Sequence, residues 1–291
     1  IITVIVGFIV DVLCIKYNMP NLGAINQWEQ AEDSMYTLCG KDRIHPSTDG
    51  HLVMAYLFLK AQGLAGKPVA DIRIDGAGKK VTRSDNCRVS DLSVSSDNLT
   101  FTYEAKSLPY PIDTSYYDNE KHTQADALSV IPFMDEMNYE GLSVSGLSDG
   151  YYGLTIGREF IGRFTARELE RGINMALLQN TPQYKQAMKI RQMNEERWLK
   201  ERKMREFYWV EYNLMRKTGM LWACDEAAVD TLRKYRPHDI FLQWNGDLWL
   251  QYMHKGIRED CVNEQQDLVN RIYEQNKPIP LRIEIKKFTD L

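Results

Sequence analysis

The chain has 291 residues, 44% of them hydrophobic and 26% charged, with a formal net charge of -4 and a pI near 5.8. That length and balance permit a sizeable core in one large domain or two smaller ones, and they exclude a disordered or fibrous chain. Without a broad positive field, nucleic acid is a poor partner.

In chain order, residues 1–10 form an apolar run that resembles a signal-peptide core. No basic stretch precedes it and Asp11 interrupts it, so a buried strand or helix of an α/β domain is expected, with no membrane span. The missing initiator Met suggests a chain that starts inside a longer or processed product. Tyr17-Asn-Met-Pro20 is punctuation, because Pro20 biases Met19 away from helix. After His45-Pro46, Ser47 or Thr48 can cap a helix in which Leu52, Ala55, Tyr56 and Leu59 recur at helical spacing until Gly63. Residues 66–112 alternate with period two between turn residues, which predicts a β meander or small sandwich. Residues 113–141 are polar loop with some helix around Ala125 to Met137. A hairpin is expected from Leu142 to Ile161, with Ser148-Asp-Gly150 and Gly157 as turn signals.

Helices then dominate. Thr165-Ala-Arg-Glu168 is a capping box, so a helix starts near 166. Thr181-Pro182 opens another that runs to about Arg216, before Gly219 stops it. Its Arg191–Arg216 stretch interleaves Glu with Arg, Lys and aromatic residues, and so predicts an amphipathic helix with an ion-paired face rather than a nucleic-acid or membrane surface. Further helices are expected at Asp225–Tyr235 and Leu248–Tyr273, then a strand over Leu281–Ile285. Trp244-Asn-Gly-Asp-Leu-Trp249 reads as a turn bracketed by a buried Trp pair. Asn98-Leu-Thr100 fits a glycosylation sequon and reads as a turn into a strand. The five scattered cysteines, Cys14, Cys39, Cys87, Cys224 and Cys261, form no metal-ligand spacing and are expected to be mostly free, buried thiols.

Chemistry concentrates in Gly40-Lys-Asp-Arg-Ile-His-Pro-Ser-Thr-Asp-Gly-His51. A serine ester hydrolase needs a base to take the hydroxyl proton and an anion to orient the imidazole. Asp42 and His45, in one loop before a helix, suit those roles. Asp49 reads as a first-turn carboxylate favouring the helix dipole, and His51 as a helix-surface or packing residue.

The run from Asp42 to Gly63 resembles the closing block of GDSL-type SGNH hydrolases, in which the Asp and His are the last two triad members, followed by Pro and a helix. Cys87–Asp113 and Leu142–Ala187 are similar to accessory regions of a bacterial, typically exported, esterase-like subgroup. The resemblance covers most of residues 11–220. It implies catalytic Asp42 and His45, a flavodoxin-like αβα sandwich, and a small-molecule or carbohydrate ester substrate, often acetylated. It implies no cofactor, no metal and a periplasmic or extracellular location.

The family's Gly-Asp-Ser nucleophile block and its Gly and Asn oxyanion blocks should lie far upstream, yet only 41 residues precede Asp42 and no Gly-Asp-Ser occurs. The expected architecture is therefore α/β: the C-terminal portion of an SGNH domain at 1–64, a β-rich accessory region at 65–161 and a mainly helical region at 162–291. The expected function is ester hydrolysis by Ser-His-Asp chemistry, with this chain inactive alone. The alternative is a non-catalytic carbohydrate-binding or interaction protein that keeps the loop as a relic. Nothing in the sequence sets an oligomeric state.

Overall fold

The computed structural model describes residues 22–32, 37–39, 45–115 and 122–288. The apolar run at 1–10, the punctuation at 17–20 and Asp42 lie outside these residues. The chain is mixed α/β and forms two compact units: residues through Ala187 together with 278–291, and Met188–Lys277.

In the first unit, helices α1 (Leu22–Glu32) and α2 (Thr48–Ala61) precede four strands, β1 (Ala70–Asp75), β2 (Lys80–Asp85), β3 (Cys87–Val94) and β4 (Asn98–Ala105). A 3-10 turn at Gln124–Ser129 and a one-turn α3 (Phe133–Glu136) follow, then β5 (Glu140–Ser145), β6 (Tyr151–Ile156), β7 (Glu159–Thr165), α4 (Ala166–Arg171) and β8 (Ile173–Asn174). Helix α5 (Pro182–Val210) leads out of this unit, and β9 (Leu281–Lys287) returns to it.

The strands make two sheets, ordered β2-β1-β5-β8 and β3-β4-β9-β6-β7. Alternation fixes which side chains face inward: Ile72, Ile74, Leu142 and Val144 from the first sheet meet Phe101, Leu154, Ile156, Ile283 and Ile285 from the second in one buried cluster. This is a β sandwich. Its second sheet is antiparallel throughout, with β9 paired to β4 on one side (Phe101↔Ile283) and to β6 on the other (Leu154↔Ile285).

The hairpin expected over 142–161 is corrected. Leu142 lies in β5 of the first sheet, and Ser148-Asp-Gly150 carries the chain across to the second. The hairpin is β6–β7, closed at Gly157-Arg158 between the paired Ile156 and Glu159, with Gly157 at φ +63. Period-two alternation is the same in either sheet, so the pattern marks strands without assigning partners. The 161/162 division falls inside β7, and β9 joins the sandwich although Leu99 and its partner Ile285 are 186 positions apart in sequence.

The capping box forms as read, with Thr165 Oγ1 accepting from Glu168 N–H at 3.1 Å and Thr165 N–H donating to Glu168 Oε2 at 2.7 Å. Helix around Ala125 to Met137 resolves into the 3-10 turn and α3, because Pro132 between them interrupts the ladder. In the second unit, α5 gives way at Glu211–Met215 to a π turn, followed by α6 (Glu226–Tyr235), α7 (Ile240–Tyr252) and α8 (Lys255–Gln275). The Trp244–Trp249 stretch is helix α7, not a turn. A Cβ at Gly246 would stand 3.2 Å from the Arg236 side chain, which forks onto Asp247 (2.6 and 2.7 Å), and only Trp249 of the two tryptophans is buried. Cys87, Cys224 and Cys261 are free thiols, and Cys224 is exposed.

One polar cluster sits within the sandwich. Glu140, wholly buried, accepts from Tyr103 Oη at 2.7 Å and from Gln183 Nε2 at 3.3 Å, tying β4, β5 and the start of α5 together. Its Oε2 and the Oε1 of Gln183 are buried without a partner. Burial pushes the Glu140 carboxyl up to about 7, and the two hydrogen bonds offset only part of that. A folded pKa above the ordinary 4.5 means stability is full below 4.5 and declines as pH rises toward 7, because the unfolded chain releases its proton first. Glu140→Gln keeps the acceptor and adds a donor for the second position. It is expected to raise Tm at about pH 8 and to leave it near wild type at about pH 4, read by calorimetry. An equal shift at both pH values would mean that Glu140 ionises in the fold as it does in water.

Candidate functional site

The loop before α2 is built around Leu38. Its N–H donates to Asn26 Oδ1 of α1 at 3.0 Å, and its carbonyl accepts from both Ser47 N–H (3.0 Å) and Ser47 Oγ (3.1 Å). Cys39 and Pro46 form an isolated antiparallel bridge, so the chain just before residue 40 and just after His45 is held together there. His45 is exposed, directly beside buried Pro46.

Gly50 permits this clamp. A Cβ there would stand 2.0 Å from the Leu38 carbonyl oxygen, which is backbone and cannot swing away. Ser47 holds the N-cap position of α2 but does not cap through its side chain: its hydroxyl goes to Leu38 and Asp49 instead. Asp49 is wholly buried. Its Oδ1 accepts from Ser47 Oγ and from Gly50 N–H (2.8 Å), and its Oδ2 lies 3.6 Å from Nδ1 of His122, an ion pair when that imidazole is charged. Asp49 is the first-turn carboxylate expected from the sequence, and it also binds the Ser47 side chain at the helix start. His51 donates from Nδ1 to the Ser47 carbonyl at 2.9 Å and is exposed, a helix-surface residue as expected.

Behind the loop, Leu52, Val53, Tyr56 and Leu57 of α2 pack on Ala127, Ile131, Phe133 and Met134. Tyr56 donates to Glu136 Oε2 (2.7 Å), and Lys60 reaches both Tyr56 Oη (2.8 Å) and Glu136 Oε1 (3.1 Å). The Lys60 hydrogen bond holds the Glu136 carboxyl below its usual range, while burial leads the rise at Tyr56. Lys60 is raised as well: burial opposes its charge, and the bonds to Glu136 and Tyr56 outweigh it. The helix that carries the loop is therefore pinned at both ends.

Of the two site residues expected from sequence, the structure puts His45 on this clamped loop, and Asp42 lies outside the described residues. Ser47, Asp49 and His122 were not expected as supports. A Gly inside the first turn of an otherwise good helix was the available sign of a close backbone approach. Among the described residues, no group of three or more His, Cys, Asp or Glu is placed to hold a metal, and no helix is long and apolar enough to cross a membrane.

Residues 188–277 match the family described as the diltiazem deacetylase C-terminal helical domain, and that span coincides with the second compact unit. The fold over 92% of this chain is similar to the solved structure of BT4096, a gut microbial diltiazem-metabolizing enzyme, at 41% sequence identity and a TM-score of 0.86. The chain spans 60% of the length of that protein's chain. No curated protein sequence matches it.

Gly50→Ala forces the Leu38 segment off the helix start. It is expected to destabilise the first unit by about 1–3 kcal/mol and to loosen the loop. Hydrogen exchange should show this as faster exchange at Ser47 and Leu38, and unchanged exchange there would mean the close approach is not sustained in solution.

Proposed function

We propose that this chain is part of an ester hydrolase that removes acetyl groups from small-molecule esters, and that it contributes the base and the orienting acid. The observation that carries the reading is the 41% identity over 92% of the chain to a diltiazem-metabolizing enzyme, supported by the match of 188–277 to a domain described as that of a diltiazem deacetylase. Such identity extends past shared fold to shared chemistry as the leading inference. The Asp42-x-x-His45 loop adds the finer assignment to the SGNH type, with residues 1–64 as the last portion of its αβα domain.

In that mechanism a serine outside this sequence attacks the ester carbonyl, and His45 accepts its proton and returns it to the departing alcohol. Asp42 holds the imidazole in the tautomer that can accept and stabilises its charged form. The acyl-enzyme is then released by water activated at the same His45. The bonds from Ser47 to Leu38 anchor the chain two residues after His45, which favours a fixed approach of the imidazole to its nucleophile.

The test compares this chain with the product of its full reading frame, using p-nitrophenyl acetate and diltiazem as substrates and a fluorophosphonate probe read by intact mass. The full product is expected to hydrolyse acetyl ester and take the label, and His45→Ala is expected to lower kcat by about 10³-fold or more. This chain by itself is expected to do neither. Hydrolysis that survives His45→Ala, or labelling of this chain alone, would overturn the assignment.

A further inference from the structure

Within the helical unit, the buried side chain of Glu211 organises an irregular segment. The carboxylate sits at the start of the π turn, 1% exposed, accepting from Trp249 Nε1–H at 2.8 Å and from the backbone N–H of Trp222 at 2.9 Å. Trp222 itself adopts φ +66, a region that a bulky residue enters only when its surroundings compel it. Single π turns of this kind recur at functional sites.

The result of that strain is an indole ring at the surface. Trp222 is 43% exposed and flanked by Tyr208 and Tyr212, each at 86° to it with centroids 6.1 and 6.0 Å away. A glycine would satisfy the turn and the bond to Glu211 without strain, so holding Trp222 here presents an aromatic face rather than serving the backbone.

Trp222 lines a cleft of about 620 Å³ together with Met204 and Tyr208 of α5, within the size range of small-ligand sites. The other lining residues belong to α8. Lys255 and Glu259 there are paired with each other at 3.2 Å, whereas Asp260 and Asn263, one turn apart and both exposed, make no hydrogen bond. Arg258 is committed elsewhere, donating to the carbonyls of Tyr252 and Met253 at 2.7 Å each. The formal charges around the cleft cancel, two positive and two negative, so neither an anion nor a cation is singled out. An aromatic ring that shares a cleft with one carboxylate and one amide free of side-chain hydrogen bonds suits a ligand with an apolar C–H face and a hydroxyl-bearing edge. A flat aromatic ligand would stack on Trp222 but leave Asp260 and Asn263 unused.

We infer that this cleft binds a neutral pyranose unit of an oligosaccharide, stacked on Trp222 with its hydroxyls on Asp260 and Asn263. The inference is independent of the esterase reading and needs no catalysis to test. Intrinsic fluorescence of the full chain, which holds six tryptophans, is titrated with cellohexaose, xylohexaose and mannohexaose. Saturable change with at least one sugar is expected. Trp222→Gly, which the φ of that position accommodates, is expected to abolish it, and Asp260→Ala to weaken it about tenfold by removing a charged hydrogen bond. Circular dichroism identifies a misfolded Trp222→Gly, in which case Asp260→Ala, on an exposed helix face, decides. Binding of none of the three sugars, binding unchanged in the variants, or saturation by diltiazem alone would each overturn the inference.

Discussion

The sandwich depends on one late-arriving strand. β9 stands in the middle of the five-stranded sheet, and without it β4 and β6 would each present an unpaired edge and an uncovered row of apolar side chains. Leu281, Ile283 and Ile285 alternate inward with charged residues between them, so the strand is suited to one register only. The 90 residues from Met188 to Lys277 are therefore an insertion whose two ends both lead into the sandwich unit. Loop-closure entropy grows only slowly with length, which is why so large an insertion is compatible with the pairing it interrupts.

Three irregular places in the chain share one device, a carboxylate taken out of water. Asp49 holds Ser47 and Gly50 at the start of α2, where Ser47 in turn bonds Leu38; Glu140 joins the two sheets to the start of α5, and Glu211 holds the π turn and Trp222. Burying such a group is unfavourable unless hydrogen bonds surround it. Where it succeeds, the segment has one arrangement, because any other leaves the carboxylate unsatisfied. The three differ in how far they are satisfied. Both oxygens of Glu211 accept a hydrogen bond, whereas Glu140 and Asp49 each keep one oxygen without any, and for Glu140 burial shifts the balance toward the protonated form.

Local signals in the sequence were legible wherever the chain's own neighbours decide the outcome. Thr165 and Glu168 form their box, Asp225 caps α6 by accepting from Ala228 N–H at 3.0 Å, and Gly219 ends the long helix at φ +75. The strand at 281–285 was readable as well, but its place between β4 and β6 was not, because no residue within it specifies distant partners. Trp244-Asn-Gly misled because Asn-Gly is a strong turn signal in isolation; packing of Leu242 and Trp249 into the helical core overrides it, and Arg236 occupies the space that Gly246 leaves.

The same division holds for the candidate site. His45 stood out because its residue type, its Asp three positions before and the helix after it are all local. The rest of the site depends on a segment seven residues earlier than His45: the Leu38 carbonyl meets Ser47 and Gly50, and nothing between 33 and 50 announces that contact in advance except the glycine itself. A motif of two residues thus suggests a chemistry, whereas the backbone contacts of Leu38 hold the segment that follows His45. If His45 is the base, as proposed, and the clamp gives it a fixed approach, the Leu38–Gly50 close approach is a variable that matters for activity.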